Sequence, residues 1–185
     1  MSGALARGRE CRVSSSMAVP SVPGTWLPLS VEQRARWLAE ACERHFARPT
    51  PWPADRPTGS VIVLPGRLIG DLSAFLCAMG EAVNGPGGYF GHDSMSLQDC
   101  CHGGFGVAPP FILRWEDAAV SRRALGHEAF RAWAGVQLRN RGYLDRDGRD
   151  WLIRRAREAG RGVGETLFEH IVAIVIAFGN TVEER

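Results

Sequence analysis

The stretch GPGGYFGHDSMSLQDCCHGGFG, residues 85–106, gathers three glycine clusters, an aromatic pair and a Cys-Cys-His triplet, with no lysine or arginine inside it. Residues of these types could cradle a phosphate, hold a metal, activate a thiol or shape a surface for another protein. A phosphate loop needs Gly-x-x-x-x-Gly-Lys-Ser/Thr, whose lysine neutralises phosphate charge, and the chain contains no lysine at all. A dinucleotide loop needs glycine at its first, third and sixth positions; Gly85 and Gly87 supply two, and Phe90 occupies the sixth. Metal binding could recruit His92, Asp99, Cys100, Cys101 and His102. Adjacent helical positions point about 100° apart, however, and no second pair with ligand spacing occurs. For thiol catalysis a cysteine must meet an oriented histidine. On a helix Asp99 and His102 share a face at i,i+3 whereas Cys100 and His102 do not, so both cysteines read as small core hydrophobes.

An interface is the chemistry that remains. Glycine lets a partner's backbone approach closely, an aromatic supplies area at low entropy cost, and a carboxylate held on a helix can enter a cationic pocket. In this reading Tyr89 and Phe90 point outward from a glycine-shaped loop and Asp99 stands on the solvent face of the next helix. The competing reading places both aromatics in the core and leaves the carboxylate merely solvated.

Charge distribution bears on the choice. Arginines against acidic residues number 8 and 5 over residues 1–58, 2 and 6 over 59–121, and 12 and 9 over 122–185. The middle segment is therefore net −4 between basic flanks. A nucleic-acid surface wants clustered cations interleaved with aromatics, so this segment fits a cationic partner and not a direct nucleic-acid contact. The five cysteines are odd in number and lack Cys-x-x-Cys spacing, which fits free thiols in a reducing compartment. No run of 18 apolar residues and no secretory-type apolar stretch occurs, so the expectation is a cytoplasmic protein without membrane association.

The elements that must position residues 85–106 follow from caps and periodicity. Residues 1–25 are small and polar without a period and read as disordered. Ser30 with Gln33 forms a capping box for a helix over 31–47, followed by the proline-rich RPTPWPADRPTG, a linker and domain boundary. SVIVLPG is a strand at about 60–64, and Asp71 caps a helix whose Leu72, Phe75, Leu76, Met79 and Val83 form one stripe ending at Asn84-Gly85-Pro86. Asp93 or Ser94 caps a short helix that turns Leu97, Cys100 and Cys101 inward and stops at Gly103-Gly104. PPFILRW is a strand at 111–115, and helical patterns run from Glu116 through ETLFEHIVAIVIAFGN, where helix and strand signals compete, to a final strand TVEE. The order implies an α/β fold with a small, mainly parallel three-stranded sheet packed with helices, an extra N-terminal helix and C-terminal helical additions. The expected division is a disordered 1–25, a helix and linker over 26–58, and a domain over 59–185 with a helical insertion at about 122–164.

The run Gly88-Tyr89-Phe90-Gly91-His92-Asp93-Ser94-Met95-Ser96-Leu97-Gln98-Asp99-Cys100-Cys101-His102-Gly103 resembles the barstar family, intracellular inhibitors of small secreted ribonucleases of the barnase type. The family pattern is Gly-Tyr-Phe/Tyr-Gly-x-Asn-Leu-Asp-Ala-Leu-x-Asp-Cys-Leu-x-Gly, and the preceding strand and helix and the following PPFILRW fall where that family has them. The resemblance covers residues 59–121 well and the last third weakly. It implies a protein without catalysis or cofactor that plugs a cationic ribonuclease. Asp99 would take the place of substrate phosphate, Tyr89 would be the aromatic contact, and Gly91, Asp93, Ser94, Met95 and Gly103 would complete the partner-binding set. The chain departs from the pattern at Asp93-Ser94-Met95-Ser96, where methionine replaces the second carboxylate and a new one appears two positions earlier. Residues 122–164 are longer than a minimal family member needs, and their basic WLIRRAREAG has no counterpart. The alternative implied is a non-inhibitory interaction or regulatory module that uses the Trp-rich helical additions.

Overall fold

The computed structural model describes residues 19–139 and 144–185. Within them the chain is mixed α/β, with a three-stranded sheet of β1 (Val61–Pro65), β2 (Ile112–Glu116) and β3 (Thr181–Glu184). The order is β1-β2-β3 and both pairings are parallel. Period-two alternation puts Ile62 and Leu64 on one face of β1 and Leu113 and Trp115 on the same face of β2, all buried. Val61 and Val63, on the other face, are 40% and 50% exposed, so this parallel sheet is covered on one side only.

Helices supply that cover. They are α1 (Val31–Phe46), α2 (Leu72–Asn84), α3 (Ser94–Cys100), α4 (Ala118–Ala124), α5 (His127–Arg139), α6 (Arg146–Ala159) and α7 (Leu167–Ile176). Phe75 of α2 and Phe168 of α7 bracket the Trp115 ring at 5.1 and 4.5 Å between centroids. The indole Nε1 donates to Ser121, whose hydroxyl donates in turn to the Gly66 carbonyl, so α4 is pinned to the end of β1. Gly66 can only be glycine, since a Cβ there would lie 2.3 Å from the Glu116 carbonyl oxygen.

The caps read from sequence form as expected. Ser30 and Gln33 make a reciprocal box on α1, Asp71 accepts from the Ala74 amide, and Asp93 with Ser96 boxes α3. The ambiguous 165–180 stretch is helical because Thr166 and Glu169 form a third capping box, and TVEE is the final strand. α2 is buried on nearly every side, lying between the sheet and α1.

Residues 1–18 of the segment expected to be disordered lie outside the described residues. Val19 and Val22 are exposed, and the segment is anchored at its end: the Gly24 amide donates to Glu81, and so does the indole of the buried Trp26. Trp26, Trp37, Leu38 and Ala41 belong to the same buried cluster as the core residues of 61–175.

Candidate functional site

Two glycine turns flank α3, and one side chain ties them together. Asn84 donates through Nδ2 to the carbonyls of both Tyr89 (2.7 Å) and Phe105 (2.8 Å). On the far turn the Asp55 carboxylate accepts from the Gly104 and Gly106 amides at 2.6 and 2.7 Å, which fastens the proline-rich segment to the end of α3. Gly91 sits at φ 91°, and a Cβ there would approach the Leu97 amide to 2.8 Å. Gly103, at φ 98°, is half-buried with Pro109 where a Cβ would go. Both glycines therefore shape backbone and offer little surface.

Tyr89 and Phe90 do not point outward. They are 3% and 0% exposed, and the expected aromatic contact is corrected to a core residue. The cover comes from the end of α1 and the last turn: the rings of His45, Phe46 and Phe105 lie 5.4, 6.2 and 6.2 Å from that of Tyr89. The Tyr89 hydroxyl meets His92 Nδ1 at 3.2 Å. Burial pushes its ionisation well above the ordinary phenol range. Phe90 packs edge-on to Phe111. His45 falls with Leu38, Ala41, Cys42 and Phe46 on the helical repeat of α1 and so reads as inward from sequence, whereas Trp52, which packs on it, carried no such signal.

α3 divides sharply between its two faces. Leu97, Cys100 and Cys101 are all 0% exposed. Burial raises the Cys101 thiol to about 12 and the Cys100 thiol further, with neighbouring acidic groups adding to the second. Thiols held protonated in this way are poor nucleophiles. The outer face carries Met95, 58% exposed, and the exposed Gln98 and Asp99. Met95 and Asp99 stand at i,i+4 and share one stripe. The Asp99 carboxylate makes no ion pair or hydrogen bond among the described residues. Asp93 is half-exposed and occupied as the cap, accepting from the Ser96 amide at 2.8 Å. Ser94 turns its Oγ inward, where it finds no partner.

No family model, curated protein or solved structure matches this chain. The site is therefore read from its own geometry.

A cleft opens on each side of Met95. One, of about 510 Å³, runs between α1, the starts of α2 and α3, and α5; the other, of about 220 Å³, lies between α3, α5, α6 and α7. Asp93, Met95 and Trp133 line both. Thus of the expected set the fold leaves Asp93, Met95 and Asp99 open on α3 and its cap, turns the Ser94 hydroxyl inward, uses Gly91 and Gly103 to shape the backbone, and withdraws Tyr89. No group of three or more His, Cys, Asp or Glu side chains is arranged to hold a metal among the described residues.

Proposed function

We propose that this chain is a protein-binding module that captures and inhibits a cationic ribonuclease of the barnase type, working without a cofactor in a reducing cytoplasm. The observation that carries the reading is Asp99: an exposed, unpaired carboxylate on a helix whose opposite face is wholly buried. The capping box at one end of α3 and the Asp55-fastened turn at the other fix that carboxylate before a partner arrives, so little ordering entropy opposes its docking. A ribonuclease cleft is cationic because it binds phosphate, and a carboxylate presented rigidly can take the phosphate's place among arginines. The net negative charge of residues 59–121 adds attraction that speeds the encounter. The parallel sheet, with α2 and α3 between its first two strands, agrees with what the resemblance to the barstar family implies.

The non-inhibitory reading rests on two observations. Tyr89 is sealed under His45 and Phe46, and Met95 stands where the family pattern has a second carboxylate. A module with one carboxylate and an apolar neighbour would still bind a protein while leaving its active site open.

The deciding experiment is a ribonuclease assay with a panel of purified barnase-type enzymes, with and without the full chain. Stoichiometric inhibition of at least one enzyme, lost in Asp99→Ala, is the expected result. Binding without inhibition selects the second reading.

A further inference from the structure

We infer that the two clefts beside Met95 form a second anchor point, one that takes an apolar side chain of the same cationic protein partner next to one of its arginines or lysines. The inference rests on the partner-binding reading of α3 but adds walls that the family resemblance covers only weakly, since α5, α6 and α7 complete the clefts that α1, α2 and α3 begin.

Three observations converge. Met95 is a large apolar side chain left 58% exposed on the ridge between the clefts, and the nearby Val136 and Trp151 are 46% and 37% exposed. Together they leave an apolar surface continuous with the stripe that ends at Asp99. Second, no arginine among the described residues lines either cleft, whereas Asp93 lines both; Asp71, which lines the larger, is already paired with Arg34. An apolar group that enters beside Asp93 thus meets an opposite charge if it carries a neighbouring cation. Third, the wall between the clefts holds unspent hydrogen-bonding capacity. The Trp133 Nε1–H and the Ser94 hydroxyl are shielded from water and have no partner among the described residues. Each such group costs about 1–3 kcal/mol while unsatisfied, and a carbonyl oxygen of an inserted segment would satisfy the indole donor. An aromatic wall with an idle N–H, beside an exposed methionine and a carboxylate, is the composition of a protein-binding hot spot.

The test is selection of a phage-displayed random peptide library on the folded full chain, with the enriched peptides re-measured on Met95→Gln, Trp133→Phe and Asp99→Ala. The first variant removes an exposed apolar group, so its thermal melt should match the parent; the second deletes the donor but also shrinks the indole that packs on Phe130 and His170, so its affinity is read at a temperature where its melt shows it folded. The expected peptides carry an aromatic or aliphatic residue within a few positions of arginine or lysine. They should lose about tenfold in affinity on Met95→Gln and about fivefold on Trp133→Phe, the latter corresponding to about 1 kcal/mol for one hydrogen bond. Absence of enrichment, acidic peptides, or peptides indifferent to both substitutions would overturn the inference. Peptides lost only on Asp99→Ala would also overturn it while leaving the ribonuclease reading standing. Sensitivity to Met95 and Trp133 without inhibition of any ribonuclease would uphold the clefts and remove that reading.

Discussion

Tyr89 and Asp99 belong to one glycine-rich stretch and read from sequence as contacts for the same partner, yet Tyr89 is 3% exposed and Asp99 stands open to solvent. The loop half of the stretch is a seam of the core, closed by α1 and the turn at Phe105. The helix half presents a carboxylate and a methionine over a buried base. Local sequence does not separate them, since both lie between the glycines of one stretch. What separates them is cover from residues far away in the chain. The partner contact proposed above therefore falls on the α3 face, whereas the loop belongs to the core, and substitutions can break that division.

The largest effect is expected from Tyr89→Ala. Deleting a buried aromatic among His45, Phe46 and Phe105 should cost about 3–5 kcal/mol in urea unfolding. A loss below about 1 kcal/mol would mean that the ring is not part of the core.

Next comes His170, which backs the smaller cleft against Trp133, 4.4 Å away between ring centroids. Burial, followed by the Arg155 charge, lowers its pKa from 6.5 to about 4, although Glu165 lies 3.8 Å away and would partly compensate a proton. The folded pKa is depressed, so the unfolded chain takes up the proton first. The stabilisation is whole above about pH 6.5 and drains away as pH falls toward 4, by about 3 kcal/mol. Unfolding free energies of the parent and His170→Gln across this window should converge as pH drops, and parallel curves would contradict the burial of a neutral imidazole.

Asp93→Ala sharpens the helix half. It removes the cap accepting from Ser96 and should cost about 1 kcal/mol, with faster amide exchange confined to the first turn of α3. Exchange that accelerates equally in the loop would erase the distinction between the two halves.

Local signals carried most of the fold into view. Ser30–Gln33, Asp71 and Asp93 mark helix starts through reciprocal hydrogen bonds that involve only neighbours, and the branched runs at 61–65 and 112–116 alternate as half-buried strands do. Cys100, Cys101 and Leu97 were legible as inward for the same reason, a helical period with one apolar side. The burial of Tyr89 was not, because its lid consists of His45 and Phe46, more than forty positions earlier, and no periodicity links them to the loop. Nor were the clefts. The tryptophans at 133 and 151 stood out as unusual on otherwise polar helices, but only packing of α5 and α6 beside α3 shows that they wall one cleft together.

The most direct test of the division is one variant measured twice. Asp99→Ala removes a solvent-facing carboxylate with no partner, so its unfolding free energy should stay within about 0.5 kcal/mol of the parent, while its affinity for an inhibited barnase-type ribonuclease falls by more than about 2 kcal/mol, roughly thirtyfold. Unchanged affinity at unchanged stability would contradict the account, because the α3 face would then present its carboxylate to nothing.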